Sequence, residues 1–363
     1  MYNFDELTAL LDYFQELGTP SVDCIVYHKG QCVYRHMDGF ADYDKTVPIT
    51  GTERYNIYSC SKPITCAAAL QLYEKGLFKL EDPLSLYFPE FEHMTVLEGD
   101  TVRPAKNAIT VKDIFTMCAG FTYDTNSKSM QQFREDTKGT CPTLLFPKYL
   151  AQEPLLFEPG TQFHYSFCHD VIGALVEKLS GQRFGDYVKE HIFMPLGMEN
   201  TTYSLPEEEL ETLAAQYTAQ DGTHRNCGKH ICFYKLGSDY ESGGAGCVST
   251  VEDYIKFLEA MRKGDVILKK ETIDLMATDC LAGIDQSDYG WKGHGYGYGL
   301  GVRCPSEEHP DLDFGWGGAA GAFLSIDRNR EFTLFYAQHV LFSPMASYRF
   351  KLYETARKII GCQ

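Results

Sequence analysis

Strand-like runs lie near both ends of this chain, while its middle reads as helices and loops. Near the N-terminus, residues 22–27 and 32–35 flank a short polar turn, which predicts a β-hairpin. Near the C-terminus, residues 298–304, 322–327 and 332–340 predict three antiparallel strands. Because a sheet must bury a face against other elements, we expect both ends to join in one antiparallel sheet of about five strands flanked by helices.

The helical middle and the two ends predict an α+β fold in which one domain, residues 1–363, contains two interleaved lobes. Residues 1–80 and 290–363 are expected to form an α/β lobe. Residues 81–289 are expected to form a mostly helical lobe. A crevice between two such lobes is the expected place for chemistry.

Capping residues and glycines mark several predicted helix ends. Thr110 and Thr250 each stand three residues before an aspartate, a variant of the capping box, so helices are expected to begin after them. A helix beginning near Ser166 is expected to stop at Gly181. A final helix is expected over about residues 345–360.

Charge and composition disfavour several classes of function. The net charge of -17, without any lysine- or arginine-rich run, is poorly suited to nucleic acid or anionic membrane. No apolar run approaches the length of a membrane span, and the acidic N-terminus lacks the features of a signal peptide. The 13 cysteines are scattered and odd in number, which favours reduced thiols over a disulfide framework. We therefore expect a cytoplasmic protein with neither nucleic-acid nor membrane partners.

A Ser-x-x-Lys pattern, Ser59 to Lys62, lies where a turn is expected to become a helix that ends at Gly76. The two side chains share one face of the first turn, at the positive end of the helix dipole. A nucleophilic hydroxyl needs such a nearby base and a field that stabilises the anion. The same pattern also fits a helix cap followed by a solvated lysine, so by itself it is only a hypothesis.

Two further stretches contain candidates for a second proton carrier and for backbone that approaches the substrate. Tyr165, just before a predicted helix, is a candidate second proton carrier, and the alternative is an ordinary buried tyrosine. The glycine-rich stretch at 315–321 allows close approach of backbone to a substrate, and the alternative is a loose loop between strands.

In this order and spacing, the motifs resemble those of the serine β-lactamase and penicillin-binding-protein superfamily. The closest resemblance is to class C-like serine hydrolases and the carboxylesterases related to them. Ser59-Cys60-Ser61-Lys62 matches the Ser-x-x-Lys motif, Tyr165-Ser166-Phe167 stands where the family has Tyr-x-Asn, and Trp316-Gly317-Gly318 stands where it has Lys-Thr-Gly or His-x-Gly. The resemblance covers nearly the whole chain and implies a β-lactamase/transpeptidase-like fold.

The resemblance also implies an acyl-enzyme mechanism that uses neither a metal nor a cofactor. Ser59 would attack a carbonyl, while Lys62 and Tyr165 shuttle its proton and protonate the leaving group. The backbone N–H groups of Ser59 and Ala319 would form the oxyanion hole. The residues that the resemblance assigns to substrate binding are Phe167, Trp316, Gly317 and Gly318.

Two departures from the family pattern fall on substrate recognition. Phe167 replaces an asparagine and Trp316 replaces a cationic or imidazole residue, which makes the site more apolar. Such a site should favour β-lactams and D-alanyl peptides less, so we expect an esterase or amidase acting on a small or apolar acyl substrate. The alternatives are a β-lactamase or D-amino-acid peptidase, and a non-catalytic binding protein on the same fold. Arg303 and His294 are candidate replacements for the lost polar contacts, but the sequence cannot place them and favours a structural or surface role for each.

Residue types that bind zinc cluster in one short segment, as His224, Cys227, His230 and Cys232. Their spacing matches no common zinc finger, and four side chains of one short loop do not easily converge on one ion. We therefore predict no metal site, and the alternative is a metal bound by this loop over the crevice.

Overall fold

The computed structural model describes residues 2–220, 223–228 and 232–361. Within these residues the strands, in chain order, are β1 (Ser21–His28), β2 (Gln31–Gly39), β3 (Tyr55–Asn56), β4 (Thr95–Glu98), β5 (Thr101–Pro104), β6 (Tyr217–Gln220), β7 (Thr223–Asn226), β8 (Val248–Ser249), β9 (Tyr296–Tyr298), β10 (Arg303–Pro305), β11 (Phe314–Gly317), β12 (Phe323–Asp327), β13 (Phe332–Ala337) and β14 (Val340–Leu341). The helices are α1 (Asp5–Glu16), α2 (Ser61–Glu74), α3 (Val111–Phe115), α4 (Lys128–Asp136), α5 (Phe146–Leu150), α6 (Cys168–Ser180), α7 (Phe184–Val188), α8 (Met194–Leu196), α9 (Val251–Lys263), α10 (Lys270–Met276) and α11 (Phe350–Gly361).

One antiparallel sheet joins the two ends of the chain, as the sequence predicts. Its strand order is β2-β1-β13-β12-β11-β10-β9, and the N-terminal hairpin pairs with β13 in the register Asp23 to Ala337. Alternate residues of β1 face opposite sides. Val22, Cys24 and Val26 pack with α1 and α11, whereas Ile25 joins the larger core that contains α2, α6 and α9. The sheet therefore carries the two terminal helices on one face and the bulk of the protein on the other.

The sheet has seven strands instead of the five expected, for two reasons. The predicted strand at 298–304 is two short strands, because a tight turn at Gly299 and Gly301, with φ +88° at Gly301, separates β9 from β10. The strand β11 was not expected because its sequence is rich in glycine. A Cβ at Gly315 would lie 2.2 Å from the carbonyl oxygen of Leu324 on β12, so close strand packing requires glycine there.

Most predicted helix boundaries are confirmed. Thr110 and Asp113 form a reciprocal capping box, and the Thr250 side chain accepts a hydrogen bond from the amide of Asp253. Helix α6 ends at Gly181 in the left-handed conformation, with φ +72°. The final helix starts later than predicted, because a 3₁₀ turn at Pro344–Ser347 precedes α11.

None of the helices in the described ranges is long and apolar enough to cross a membrane. The cysteines within these ranges are all free thiols, as expected. The boundaries of the two lobes stay a prediction.

Candidate active site

Ser59 lies in a 3₁₀ turn, Tyr58–Cys60, that leads directly into α2. Its neighbours Tyr58 and Cys60 are buried, but Ser59 itself is partly exposed. Tyr58 has φ +46°, a left-handed conformation that is strained for a bulky residue. Its hydroxyl donates to the side-chain oxygen of Gln216 at 2.8 Å, which helps to hold the turn. The strained turn therefore presents the Ser59 hydroxyl at the start of a buried helix.

Lys62 is completely buried, on the first turn of α2. Its Nζ atom donates to Ser59 Oγ at 3.2 Å and to the carbonyl oxygen of Gly244 at 2.6 Å. It also lies 4.5 Å from the centroid of the Tyr165 ring. The alternative of a solvated lysine is therefore wrong, because the amine is buried and one of its hydrogen bonds is to Ser59 Oγ.

Tyr165 reaches the same oxygen from the loop before α6. Its hydroxyl donates to Ser59 Oγ at 2.6 Å. Its ring stacks on Trp316 of β11, with centroids 6.0 Å apart and an interplanar angle of 14°. Three predicted site residues that are up to 106 positions apart in sequence thus meet at one hydroxyl oxygen. Two donors directed at one oxygen stabilise it as an anion, and either of them can accept its proton once it has lost its own.

A buried carboxylate that sequence reasoning missed lies behind Lys62. Asp170, on the first turn of α6, accepts hydrogen bonds from Ser242 Oγ at 2.6 Å and from the Tyr240 hydroxyl at 2.9 Å. Burial raises its pKa above the usual range, although the Ser242 hydrogen bond and the charge of Lys62 oppose that shift. A Cβ at Gly244 would lie 2.6 Å from Asp170 Oδ2 and 3.4 Å from Lys62 Nζ, so only glycine fits between the two charges. Gly244 belongs to a stretch, Gly243 to Gly246, whose glycines indicate a turn, but the sequence does not show that this turn lies against Asp170.

The predicted oxyanion hole combines the Ser59 turn with the loop after β11. Gly318 lies close to the segment before Ser59, because a Cβ there would be 2.4 Å from the carbonyl oxygen of Ile57. Among the described residues, neither the amide of Ser59 nor that of Ala319 donates a hydrogen bond to the protein. Both donors therefore remain available to a ligand.

The predicted substrate-binding residues differ in their positions. Trp316 lies beside Tyr165 and also packs edge-on against Tyr298, at 5.1 Å between centroids. Phe167 is only 1% exposed and packs against Tyr123 and Phe146, at 4.7 and 5.2 Å. Packing in the aromatic core is the role the structure gives Phe167, and its contact with substrate stays a prediction.

The two candidate replacements for polar recognition lie elsewhere. Arg303 is completely buried, forms an ion pair with Asp313 at 2.8 Å and stacks against the Tyr296 ring. His294 is exposed and contacts the Phe350 ring at 4.7 Å. Arg303 is therefore a structural residue, and His294 is a surface residue that packs beside the start of α11.

The possible zinc ligands do not form a site within the described part of the chain. His224 lies on β7 beside Gly18, whereas Cys232 is buried in an apolar cluster with Tyr58 and Ala320. No group of three or more metal-ligating side chains is present among the described residues. His230 lies outside those residues.

Several known proteins are similar to this chain in sequence or in fold. A family model described as Beta-lactamase matches residues 7–352. Protein Rv1367c of Mycobacterium tuberculosis is 26% identical over 82% of this chain and 80% of its own length. Esterase EstB of Burkholderia gladioli is 26% identical over 84% of this chain and 82% of its own length. The solved structure of EstCE1, a hydrolase with promiscuous acyltransferase activity, has a TM-score of 0.78 at 21% identity and covers 96% of this chain and 97% of its own.

Proposed function

Because this chain belongs to the Beta-lactamase family and is a serine hydrolase with its fold, we propose that Ser59 is the nucleophile and that Lys62 and Tyr165 carry its proton. The observation that supports this most directly is the pair of hydrogen bonds to Ser59 Oγ, 2.6 Å from Tyr165 and 3.2 Å from Lys62. An ordinary solvated serine at a helix start would not have a buried amine and a phenol hydroxyl both directed at its oxygen.

The proposed reaction proceeds through an ester on Ser59. Ser59 Oγ attacks the substrate carbonyl carbon as its single proton passes to the pair formed by Lys62 and Tyr165, which must begin the step with one of its two groups deprotonated. The carbonyl oxygen becomes negatively charged and accepts hydrogen bonds from the amides of Ser59 and Ala319. The intermediate then expels the alcohol or amine, which takes a proton from Tyr165. Water attacks the Ser59 ester as the same pair takes one of its protons, and the pair returns that proton to Ser59 Oγ as the carboxylic acid leaves.

The surroundings favour an uncharged acyl group. Trp316 stacks on the Tyr165 ring, at the position where the family pattern has a cationic or imidazole residue, and Arg303 is buried in an ion pair with Asp313. Tyr123 and Tyr234 stack at 5.1 Å, and Tyr123 lies 5.7 Å from Lys62 Nζ, so aromatic rings also border the amine. We therefore propose an esterase or amidase of small or apolar acyl substrates, in preference to a β-lactamase or D-amino-acid peptidase.

The test compares acylation and substrate preference in one set of measurements. Intact mass after a fluorophosphonate probe should show one adduct on the natural protein and none on Ser59→Ala, with peptide mapping to place it on Ser59. Short-chain aryl esters should be hydrolysed faster than a chromogenic cephalosporin. Faster turnover of the cephalosporin would reverse the substrate preference, and a natural protein without any adduct would favour the non-catalytic binding alternative.

Acyl transfer to an alcohol is a second candidate function. It is favoured by the aromatic rings of Trp316 and Tyr123 near the proton carriers, which offer an apolar surface to an organic alcohol, and by the acyltransferase activity in the description of EstCE1. With an aryl ester donor and a short primary alcohol, the protein should form the new alkyl ester. Formation of only the free acid at high alcohol concentration would exclude this second function.

We also propose that the protein acts in the cytoplasm on a small-molecule ester or amide, without nucleic-acid or membrane partners. The net charge of -17 supports the absence of polyanionic partners. Cell fractionation with an antibody to the natural protein would test the location, and recovery in a membrane or secreted fraction would contradict it.

A further inference from the structure

Arg349 is a half-buried cation without a carboxylate partner. It lies between the 3₁₀ turn Pro344–Ser347 and α11. Its guanidinium donates only to backbone carbonyl oxygens, from Nη1 to Gly318 at 2.7 Å and to Ala322 at 2.9 Å, and from Nε to Ala346 at 3.3 Å. No carboxylate of the described residues lies within ion-pair distance of it. Burying a charge without a counter-charge is costly, so its position calls for an explanation.

The glycines of the loop after β11 make room for this guanidinium. A Cβ at Gly317 would lie 3.0 Å from Arg349 Nη1. Gly318 is tied into the hairpin, because its amide donates to Ala322 at 2.7 Å and its carbonyl oxygen accepts from Gly321 at 3.1 Å. Arg349 thus supplies a second, charged donor to a carbonyl oxygen that is already fixed in place.

The Gly318 carbonyl and the Ala319 amide belong to the same peptide group. No peptide bond in the described chain is cis, and in a trans peptide the C=O and N–H bonds point in opposite directions. A guanidinium bound to the Gly318 oxygen therefore directs the Ala319 N–H to the opposite side of the peptide, away from Arg349. A charged donor on the oxygen also polarises the peptide, which makes its N–H a stronger donor.

We propose that Arg349 is a positioning residue for the oxyanion hole, acting through the Gly318–Ala319 peptide. This inference rests on the proposed function, since it requires Ala319 to bind the oxyanion formed by attack of Ser59. A negative charge develops on the substrate oxygen only as the tetrahedral intermediate forms. The positive charge behind the peptide therefore stabilises the transition state more than the bound substrate.

The substitution Arg349→Gln tests the proposal by removing the charge while keeping a polar side chain. We expect kcat for an aryl ester to fall about tenfold with KM within about twofold, less than the 10²–10³ lost when a direct oxyanion donor is removed. An arylboronic acid, whose adduct with Ser59 places an oxygen in the hole, should lose affinity by the same factor as kcat. Arg349→Lys, which keeps the charge and one donor, should recover part of both losses.

A matched control and a second variant separate this role from simple support of the fold. Arg357→Gln removes another arginine of the same C-terminal region, one that pairs with Asp311 and lies away from the loop, and should leave kcat and boronate affinity unchanged. Gly317→Ala keeps Arg349 but displaces its guanidinium, and should reproduce the Arg349→Gln defect. Thermal denaturation of each variant shows whether it is folded.

The outcomes distinguish this proposal from the proposed function. If the fluorophosphonate probe does not label Ser59 of the natural protein, the proposed function itself fails. If Ser59 is labelled but Arg349→Gln and Gly317→Ala keep the natural kcat and boronate affinity, only the role of Arg349 is overturned. A fall in kcat without a fall in boronate affinity would also overturn it, because the oxyanion contact would then be intact.

Discussion

The substitution Tyr165→Phe is the sharpest test of the proton path, because it removes a single oxygen atom. That oxygen donates to Ser59 Oγ at 2.6 Å, and no other hydrogen bond of this hydroxyl is present in the described residues. The ring would keep its stacking on Trp316, at 6.0 Å and 14°, and its contact with Lys62 Nζ at 4.5 Å. Any change in rate would therefore report the hydroxyl and not the packing.

The expected losses of rate and of stability follow from the two contributions of this hydroxyl, as a proton carrier and as a hydrogen-bond donor. Proton transfer by a positioned side chain contributes about 10²–10⁴ in rate, which corresponds to about 3–5 kcal/mol in the barrier. Loss of one partly buried hydrogen bond changes the free energy of unfolding by about 1 kcal/mol. We therefore expect kcat/KM of Tyr165→Phe to fall by about 10³ while the protein stays folded.

The choice of ester makes the assay specific for leaving-group protonation. A nitrophenolate leaves without being protonated, whereas an alkoxide does not. If Tyr165 donates the proton, the loss should be larger for an ethyl ester than for a nitrophenyl ester with the same acyl group. Steady-state kinetics with both esters measures the two losses of kcat/KM, and chemical denaturation measures the change in stability.

Tyr298→Phe is the matched control for this experiment. The Tyr298 ring also packs against Trp316, at 5.1 Å, but its hydroxyl is buried without a hydrogen-bond partner among the described residues. Its removal should leave both activity and stability close to those of the natural protein. The reasoning is refuted if Tyr165→Phe keeps kcat/KM within about threefold for both esters, or if Tyr298→Phe shows the same defect.

Three further predictions concern stability and recognition. Asp313→Asn leaves Arg303 buried without its counter-charge and should destabilise the protein by about 3–5 kcal/mol, whereas replacing both residues by Leu and Met should recover most of that loss in chemical denaturation. Burial lowers the pKa of His169 to about 3, so the native state keeps this imidazole neutral while the unfolded chain protonates it below about pH 6.5. Stability should therefore fall by about 2 kcal/mol from this residue between pH 7 and pH 5, and His169→Gln should remove that part of the pH dependence of the unfolding free energy. Phe167→Asn should lower stability by about 3 kcal/mol, because it places an amide among Tyr123 and other buried rings, and cephalosporin turnover should not increase.

The contacts that sequence could anticipate are those made within one turn of helix or carried by a motif. Ser59 and Lys62 are three residues apart, so their proximity follows from helix geometry once the helix is placed. Tyr165 is 106 residues away from Ser59, and no periodicity predicts that its hydroxyl meets Ser59 Oγ. Its inclusion depended on the order of motifs shared with a known family.

Glycine is the main reason why parts of the sheet were not predicted. A glycine-rich stretch usually indicates a turn, and this holds between β9 and β10. In β11, however, Gly315 and Gly317 are required by the neighbours that approach them, Leu324 on one side and Arg349 on the other. Close approach of another part of the chain depends on tertiary packing, which a local sequence pattern does not reveal.

Asp170 and Arg349 were missed for a related reason. Each is a common charged residue at the start of a helix or just before one, where a solvated role is the ordinary expectation, and for Asp170 an interaction with the helix dipole as well. Their importance comes from partners distant in sequence, Ser242 for Asp170 and Gly318 for Arg349. The sequence thus specified the reacting groups better than the charges arranged around them.

The position of positive charge is what separates this site from the recognition pattern it resembles. Related hydrolases carry a cation or an imidazole where this chain has Trp316, so a substrate carboxylate loses its partner. Arg349 brings a positive charge to the same strand end, but it is engaged by the carbonyl oxygens of Gly318 and Ala322. Positive charge at this position acts, through the Gly318–Ala319 peptide, on the carbonyl oxygen of the substrate. It does not act on a carboxylate elsewhere in the substrate. Because neither Trp316 nor Arg349 is a free cation for a substrate carboxylate, we expect this site to prefer uncharged esters and amides to β-lactams that carry a carboxylate.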